Sequence, residues 1–160
     1  MNKRLNFPTR FALMALLVTL LFGSAPVLMQ TVEAAPAGLG SKVVTTAYRY
    51  RGRPYVFGAR GPRYFDCSGF TRYVYRLHGY YLPHSAAAQS RLGQYVSKSN
   101  LRAGDLVFFR NTYKRGISHV GIYVGSGRMI HAWPRRGVIV TKFTSYRYFT
   151  SRYAGARRAS

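Results

Sequence analysis

The sequence contains a single cysteine, Cys67, among its 160 residues. No internal disulfide can form and no cysteine-rich zinc site can be built, so the chain must stand on a hydrophobic core of its own. Material for that core is present: 48% of the residues are apolar and 16% aromatic, too apolar for a disordered basic tail. The length suits one modest domain. Carboxylates are almost as scarce as thiols. Glu33, Asp66 and Asp105 are the three acids, set against 25 Lys plus Arg. Carboxylate-rich calcium or magnesium sites are thereby excluded. A glycosidase acid–base pair would have to consume the last two carboxylates, Asp66 and Asp105.

The N-terminus reads as an export signal. Lys3, Arg4 and Arg10 precede Phe11 to Phe22, twelve uncharged and mostly apolar residues interrupted soon afterwards by Gly23, Ser24 and Pro26. That run is short of the roughly 20 residues needed to span a bilayer, although a permanent anchor is the competing reading. Val32-Glu33-Ala34 fits a cleavage site, so residues 1–34 are expected to be a signal peptide and 35–160 a single mature domain. No cysteine lies at the cut for lipid attachment. The expected destination is the periplasm, the cell envelope or the exterior. Losing Lys3, Arg4, Arg10 and Glu33 leaves 22 basic and 2 acidic side chains, a formal charge of +20. Such a chain seeks polyanions. Outside the inner membrane these are cell-wall polymers and anionic envelope surfaces, and no nucleic acid partner is expected.

Between residues 41 and 150 there are no repeats and no shift in composition. Val43, Val44, Ala47 and Tyr50 predict a helix with Ser41 as N-cap and Gly52 as its stop. Gly52 to Pro62 reads as loop. Phe70, Val74 and Leu77 predict a second helix closed by Gly79, with Cys67 at its start, and a short third helix is expected over 85–92. After Gly104 the texture becomes β, with strands expected at 106–110, 119–124, 128–132 and 138–143. The tail, 146–160, is expected to add one strand and then fray. Helices first and strands second indicate an α+β domain with helices packed on an antiparallel sheet.

An unpaired cysteine is either a small apolar filler or a reactive thiol. At a helix start the free N–H groups favour a thiolate, but by at most ~2 kcal/mol. Lowering a thiol pKa by about 2.5 units needs roughly 3.4 kcal/mol, so a second cation is required. Four histidines compete for that task. His78, at the far end of the cysteine helix, complements its dipole, and His84 lies at a turn and reads mainly as surface. His119 and His131 fall within expected strands joined by Gly125-Ser126-Gly127. A three-residue loop pairs Val124 with Arg128, sets Gly121 opposite His131 and makes the two imidazoles diagonal neighbours on one face. A two-residue loop would throw them to opposite faces. The favoured reading is the three-residue loop. The chemistry suited to these parts is acyl transfer, with Cys67 as nucleophile, His119 as base, His131 orienting it and helix-start N–H groups holding the oxyanion. A zinc site on one cysteine and two histidines is the alternative, against which stand the wide spacing and the lack of an obvious fourth ligand.

Six ordered blocks, Pro54 to Gly58, Asp66 to Phe70, Leu82 to Ser85, Gly104 to Phe109, His119 to Gly125 and Met129 to Ala132, resemble the NlpC/P60 cell-wall cysteine peptidases. The resemblance implies a papain-like α+β fold and hydrolysis of peptide bonds in peptidoglycan stem peptides or muropeptides, with no cofactor. By motif position it makes Cys67 the nucleophile, His119 the base and His131 the third catalytic residue. It also places Tyr55 near the thiol as an oxyanion or substrate contact, and Asp66 and Ser68 in the wall of the substrate cleft, where Asp66 would receive a substrate ammonium. Where many members have Trp-Gly-Gly, this chain has Phe57-Gly58-Ala59 followed by the cationic Arg60-Gly61-Pro62-Arg63. A noncatalytic basic envelope-binding protein on the same fold is the alternative function.

Overall fold

The computed structural model describes residues 38–159, so the expected signal peptide and its cleavage site lie outside the described residues. Helix α1, Leu39–Arg49, buries Val43, Thr46 and Ala47. It starts two residues earlier than expected, because Ser41 donates its hydroxyl to the Gly38 carbonyl instead of capping an N–H group. Helix α2, Cys67–Arg76, is N-capped by Asp66, whose carboxylate accepts from the Gly69 N–H at 2.6 Å. Its buried face runs through Phe70, Val74 and Tyr75, whereas Leu77, expected on that face, is half exposed at the C-cap. The third helix shrinks to Ala86–Gln89, α3, with Ser85 as its cap.

Among the described residues, six strands form one antiparallel sheet. They are β1 (Gln94–Val96), β2 (Leu106–Arg110), β3 (Ile117–Gly125), β4 (Arg128–Trp133), β5 (Gly137–Lys142) and β6 (Tyr153–Arg158), in the spatial order β1-β6-β2-β3-β4-β5. The tail supplies the one strand expected of it. After a one-turn helix α4, Arg147–Thr150, it returns as β6 between β1 and β2, and Arg158 grips the buried Asp105 carboxylate with Nε and Nη2 at 2.7 and 2.8 Å. That bidentate ion pair joins the last strand to the start of β2.

Alternation along the strands divides the core in two. Leu106, Phe108, Val120, Ile122, Ile130 and Ala132 face the helices and pack with Phe65, Phe70 and Val74. Val107, Phe109, Met129, Phe143 and Phe149 form a second cluster on the other face. Each fully buried Phe, Ile or Val contributes about 1.5–3 kcal/mol of transfer free energy, so both faces have to be covered.

The β3–β4 hairpin corrects the expected loop. Gly125 pairs with Arg128, leaving Ser126-Gly127 as a two-residue turn with φ of 52° and 69°. Positive φ at both positions is what a tight hairpin turn with right-handed twist requires. A bulge between Tyr123 and Gly125 then shifts the register, so that Tyr123 pairs with Met129 and Ile122 with Ile130. The extra residue restores the face that the shorter loop would have reversed. His119 and His131 therefore share a face after all.

Candidate active site

Cys67 is the first residue of α2 and is 5% exposed. Its Sγ lies 4.0 Å from the Ser118 carbonyl, and the backbone N–H of Val120 also points to it. These groups flank His119 on β3. Ser118 is the extra residue of a second bulge, since Phe109 pairs with His119 but Arg110 pairs with Ile117. Bulges re-aim side chains where they occur, and this one brings the strand backbone against the thiol. No hydrogen bond joins Sγ to the His119 ring among the described residues.

On the face away from α2, His119 Nε2 lies 2.8 Å from His131 Nδ1, and His131 Nε2 lies 2.9 Å from Thr141 Oγ1. Phe109, Trp133 and Phe149 enclose the pair, with ring centroids 5.0–6.1 Å from that of His119. Gly121 is the residue that allows this packing. A Cβ there would stand 2.9 Å from Met129 Sδ and 3.1 Å from the His131 Cβ. Thr141 was not singled out by its sequence context; only the pairing of β4 with β5 brings it beside His131.

Burial opposes charge on both partners. It pushes the Cys67 thiol up to about 12, with the adjacent Asp66 carboxylate adding to the effect and the N–H groups of Val120, Ser68 and Cys67 opposing it. Burial alone pushes His119 down to about 3, and His131 is held well below its ordinary value by burial and then by His119. The thiol is therefore neutral at rest. The helix end favours a thiolate, but burial and the carboxylate of Asp66, one residue away, act against it.

The thiol opens onto a cleft of about 230 Å³ whose wall includes Tyr55, Asp66, Cys67, Ser68, His84 and Lys114. His119 and His131 are not in that wall. Tyr55 and Tyr113 both feel the Cys67 and Asp66 charges, and both phenols are raised, chiefly by burial. Asp66 is fully engaged. Oδ1 accepts from Gly69 N–H and the Ser68 hydroxyl, at 2.6 and 3.2 Å, and Oδ2 accepts from Gly58 N–H and His84 Nε2, at 2.9 and 2.8 Å. Arg60 Nε donates to His84 Nδ1 at 2.9 Å. Because that guanidine N–H can only donate, Nδ1 is the acceptor and the ring proton on Nε2 points to Asp66.

His84 is thus a wall residue and not a surface turn. Its place is fixed by Gln89, which bonds the Ser68 and Pro83 carbonyls from one side-chain nitrogen while Thr71 donates to its Oε1. His78 meets Thr46 of α1 at 2.9 Å and stays away from the cleft.

A helix-borne thiol laid against a sheet that carries a buried histidine pair defines a papain-like α+β protein. Comparison with known proteins narrows the class. The family model described as "NlpC/P60 family" matches residues 52–158. A relative from Bacillus subtilis strain 168, named gamma-DL-glutamyl hydrolase, is 45% identical over 129 residues, covering 79% of this chain and 31% of its own length. The crystal structure of an NlpC/P60 family protein from Bacillus cereus ATCC 10987 superposes with a TM-score of 0.70 at 36% identity, covering 78% of this chain and 41% of that one. The NlpC/P60 domain of the peptidoglycan hydrolase SagA superposes with a TM-score of 0.65 at 38% identity, covering 75% of this chain and 98% of that one. The chain belongs to the NlpC/P60 family. It spans about a third of the length of its gamma-DL-glutamyl hydrolase relative.

Proposed function

We propose that this chain is an exported cysteine peptidase that hydrolyses amide bonds in peptidoglycan stem peptides or cross-links. The observation that carries the reading is the seating of the Cys67 thiol against Ser118 and Val120, on either side of a histidine already hydrogen-bonded to a second one. The names of the hydrolase relatives and the SagA domain support the substrate class.

One placement of the protons suits the hydrogen-bond chain from His119 to Thr141. If His131 donates from Nε2 to Thr141, its Nδ1 is free to accept from His119 Nε2–H, and the basic lone pair of His119 then sits on Nδ1. Nδ1 takes the thiol proton as Sγ attacks the amide carbonyl carbon. Neither group need carry charge beforehand, which suits a cleft that disfavours the thiolate and an aromatic enclosure that disfavours the imidazolium. The oxyanion accepts from the Cys67 N–H and the Tyr55 hydroxyl. His119 next protonates the leaving amine, the C–N bond breaks, and a thioester remains on Cys67. Water attacks that thioester, gives its proton to His119, and releases the new carboxylic acid and the thiol.

Asp66 and Ser68 shape the cleft wall, and residues 1–34 would direct export to the periplasm or envelope. The +20 surface would hold the enzyme on anionic wall polymer, so affinity for purified sacculi should fall as salt rises. Incubating residues 35–160 with purified muropeptides and seeking new amines by mass spectrometry tests the proposal. Products from the unaltered protein and none from Cys67→Ala support it. Equal product from both removes Cys67 as nucleophile, and salt-sensitive binding without any product favours the noncatalytic envelope-binding alternative.

A further inference from the structure

The charges around the cleft are unevenly used. A carboxylate has about four acceptor positions, and the two oxygens of Asp66 already hold four donors. An incoming ammonium would have to displace one of them. The bond most exposed to exchange, from His84 Nε2, is backed by the Arg60 guanidinium, so the ammonium would also meet a positive charge. Among the described residues, Asp66 is the only carboxylate in the wall.

The opposite charge is free. Lys114, on the loop between β2 and β3, lines the same cleft and makes no hydrogen bond or ion pair among the described residues. Its Nζ sits 5.7 Å from the centroid of the Tyr113 ring, and Tyr113 in turn senses Cys67 and Asp66. That aromatic face helps to hold the ammonium on the cleft side of the loop. Lys114 stands outside the motif blocks that carry the family resemblance.

Resting on the proposed amide hydrolysis at Cys67, we infer that Lys114 is a specificity-determining residue that pairs with a free carboxylate beside the scissile amide of the substrate. The cleft consequently selects an acidic peptide, such as one with an unmodified α-carboxylate on a γ-linked glutamate, over its carboxamide counterpart. It gives no advantage to a free N-terminal amine, because Asp66 has no acceptor left for one. Arg60 is held by His84 and contributes to the wall's positive field without reaching the substrate.

The test uses three synthetic peptides containing a γ-D-glutamyl amide: one with the free α-carboxylate, one with that group as carboxamide, and one with the free carboxylate and an acetylated N-terminus. Kinetics with residues 35–160 should give a KM about three- to fivefold lower for the carboxylate than for the carboxamide, as expected for one partly exposed ion pair. The free and acetylated N-termini should agree within about twofold. Lys114→Gln should bring the carboxylate-to-carboxamide ratio close to one, and Lys114→Arg should keep it. Equal KM values for carboxylate and carboxamide in the unaltered protein, a ratio undisturbed by Lys114→Gln, or a tenfold preference for the free amine would each overturn the inference while leaving hydrolysis intact. If no peptide is cleaved, the hydrolase reading fails separately. Calorimetric Kd values for the same three peptides then decide the inference by the same ratios.

Discussion

The two faces of the sheet around Ser118–Val120 are built on opposite principles. On the helix side, Cys67 opens to a polar cleft where Asp66 holds four hydrogen bonds, and burial first and the Asp66 charge second keep the thiol protonated. On the other side, His119 and His131 lie buried among Phe109, Trp133 and Phe149, where desolvation keeps the imidazoles neutral. Each environment by itself disfavours its own group's ion, so both groups rest neutral. The difference teaches that reactivity belongs to the junction, where one proton crosses from sulfur to nitrogen, and to neither face alone.

The aromatic face should fail first in acid. Burial holds His119 at about 3 and His131 well below its ordinary value in the folded state, so the unfolded chain binds more protons as pH falls below 6.5. Their contribution to stability is fully present above pH 6.5 and is lost as pH falls toward 3, with a slope of up to about 1.4 kcal/mol per pH unit for each histidine. Urea unfolding followed across that range should show the fall, and His131→Leu should reduce its slope. A flat profile would mean that the aromatic enclosure is wet.

Overpacking the same face has a smaller effect. Gly121→Ala drives a methyl group toward Met129 Sδ and the His131 Cβ, and should cost about 2 kcal/mol in thermal unfolding. It should also lower kcat more than it raises KM, because it displaces His131, the partner of the base His119, and leaves the cleft alone.

Removing the outer end of the histidine chain is milder still. Thr141→Val keeps the shape but deletes the partner of His131 Nε2, and kcat should fall by about tenfold. Thr141→Ser should restore most of it, a rescue that a purely packing role for Thr141 would not give.

The cleft side yields the smallest effect. Asp66→Asn removes the charge that raises the thiol, so alkylation of Cys67 at pH 8 should be about threefold faster. An unchanged or slower rate would show that burial alone sets the thiol.

How much of this was legible in the sequence follows the range of the interactions. Local signals worked: Cys67 at a helix start, the four strands after Gly104 and the closeness of His119 to His131 all follow from periodicity and spacing. The shared face of the two histidines was reached for an incorrect reason. The turn has two residues, and the bulge near Tyr123 corrects the register, which loop length alone could not reveal. Long-range features were missed. β6 lies between β1 and β2, where Arg158 pairs with Asp105, 53 residues away, and the tail's own composition carries no trace of that placement. His84, Tyr113, Lys114 and Thr141 reach their places only through tertiary pairing. Only His84, within Leu82 to Ser85, lay in a block that could have been weighted more heavily.

The central claim, that His119 receives the Cys67 proton, is tested most directly by the rate of iodoacetamide alkylation of Cys67 in the unaltered protein and in His119→Gln, at pH 7 and at pH 10. The account predicts that loss of the imidazole slows alkylation at pH 7 by at least about tenfold and that the gap narrows to within about twofold at pH 10, where hydroxide can take the proton instead. Equal rates for the two proteins at pH 7 would contradict it.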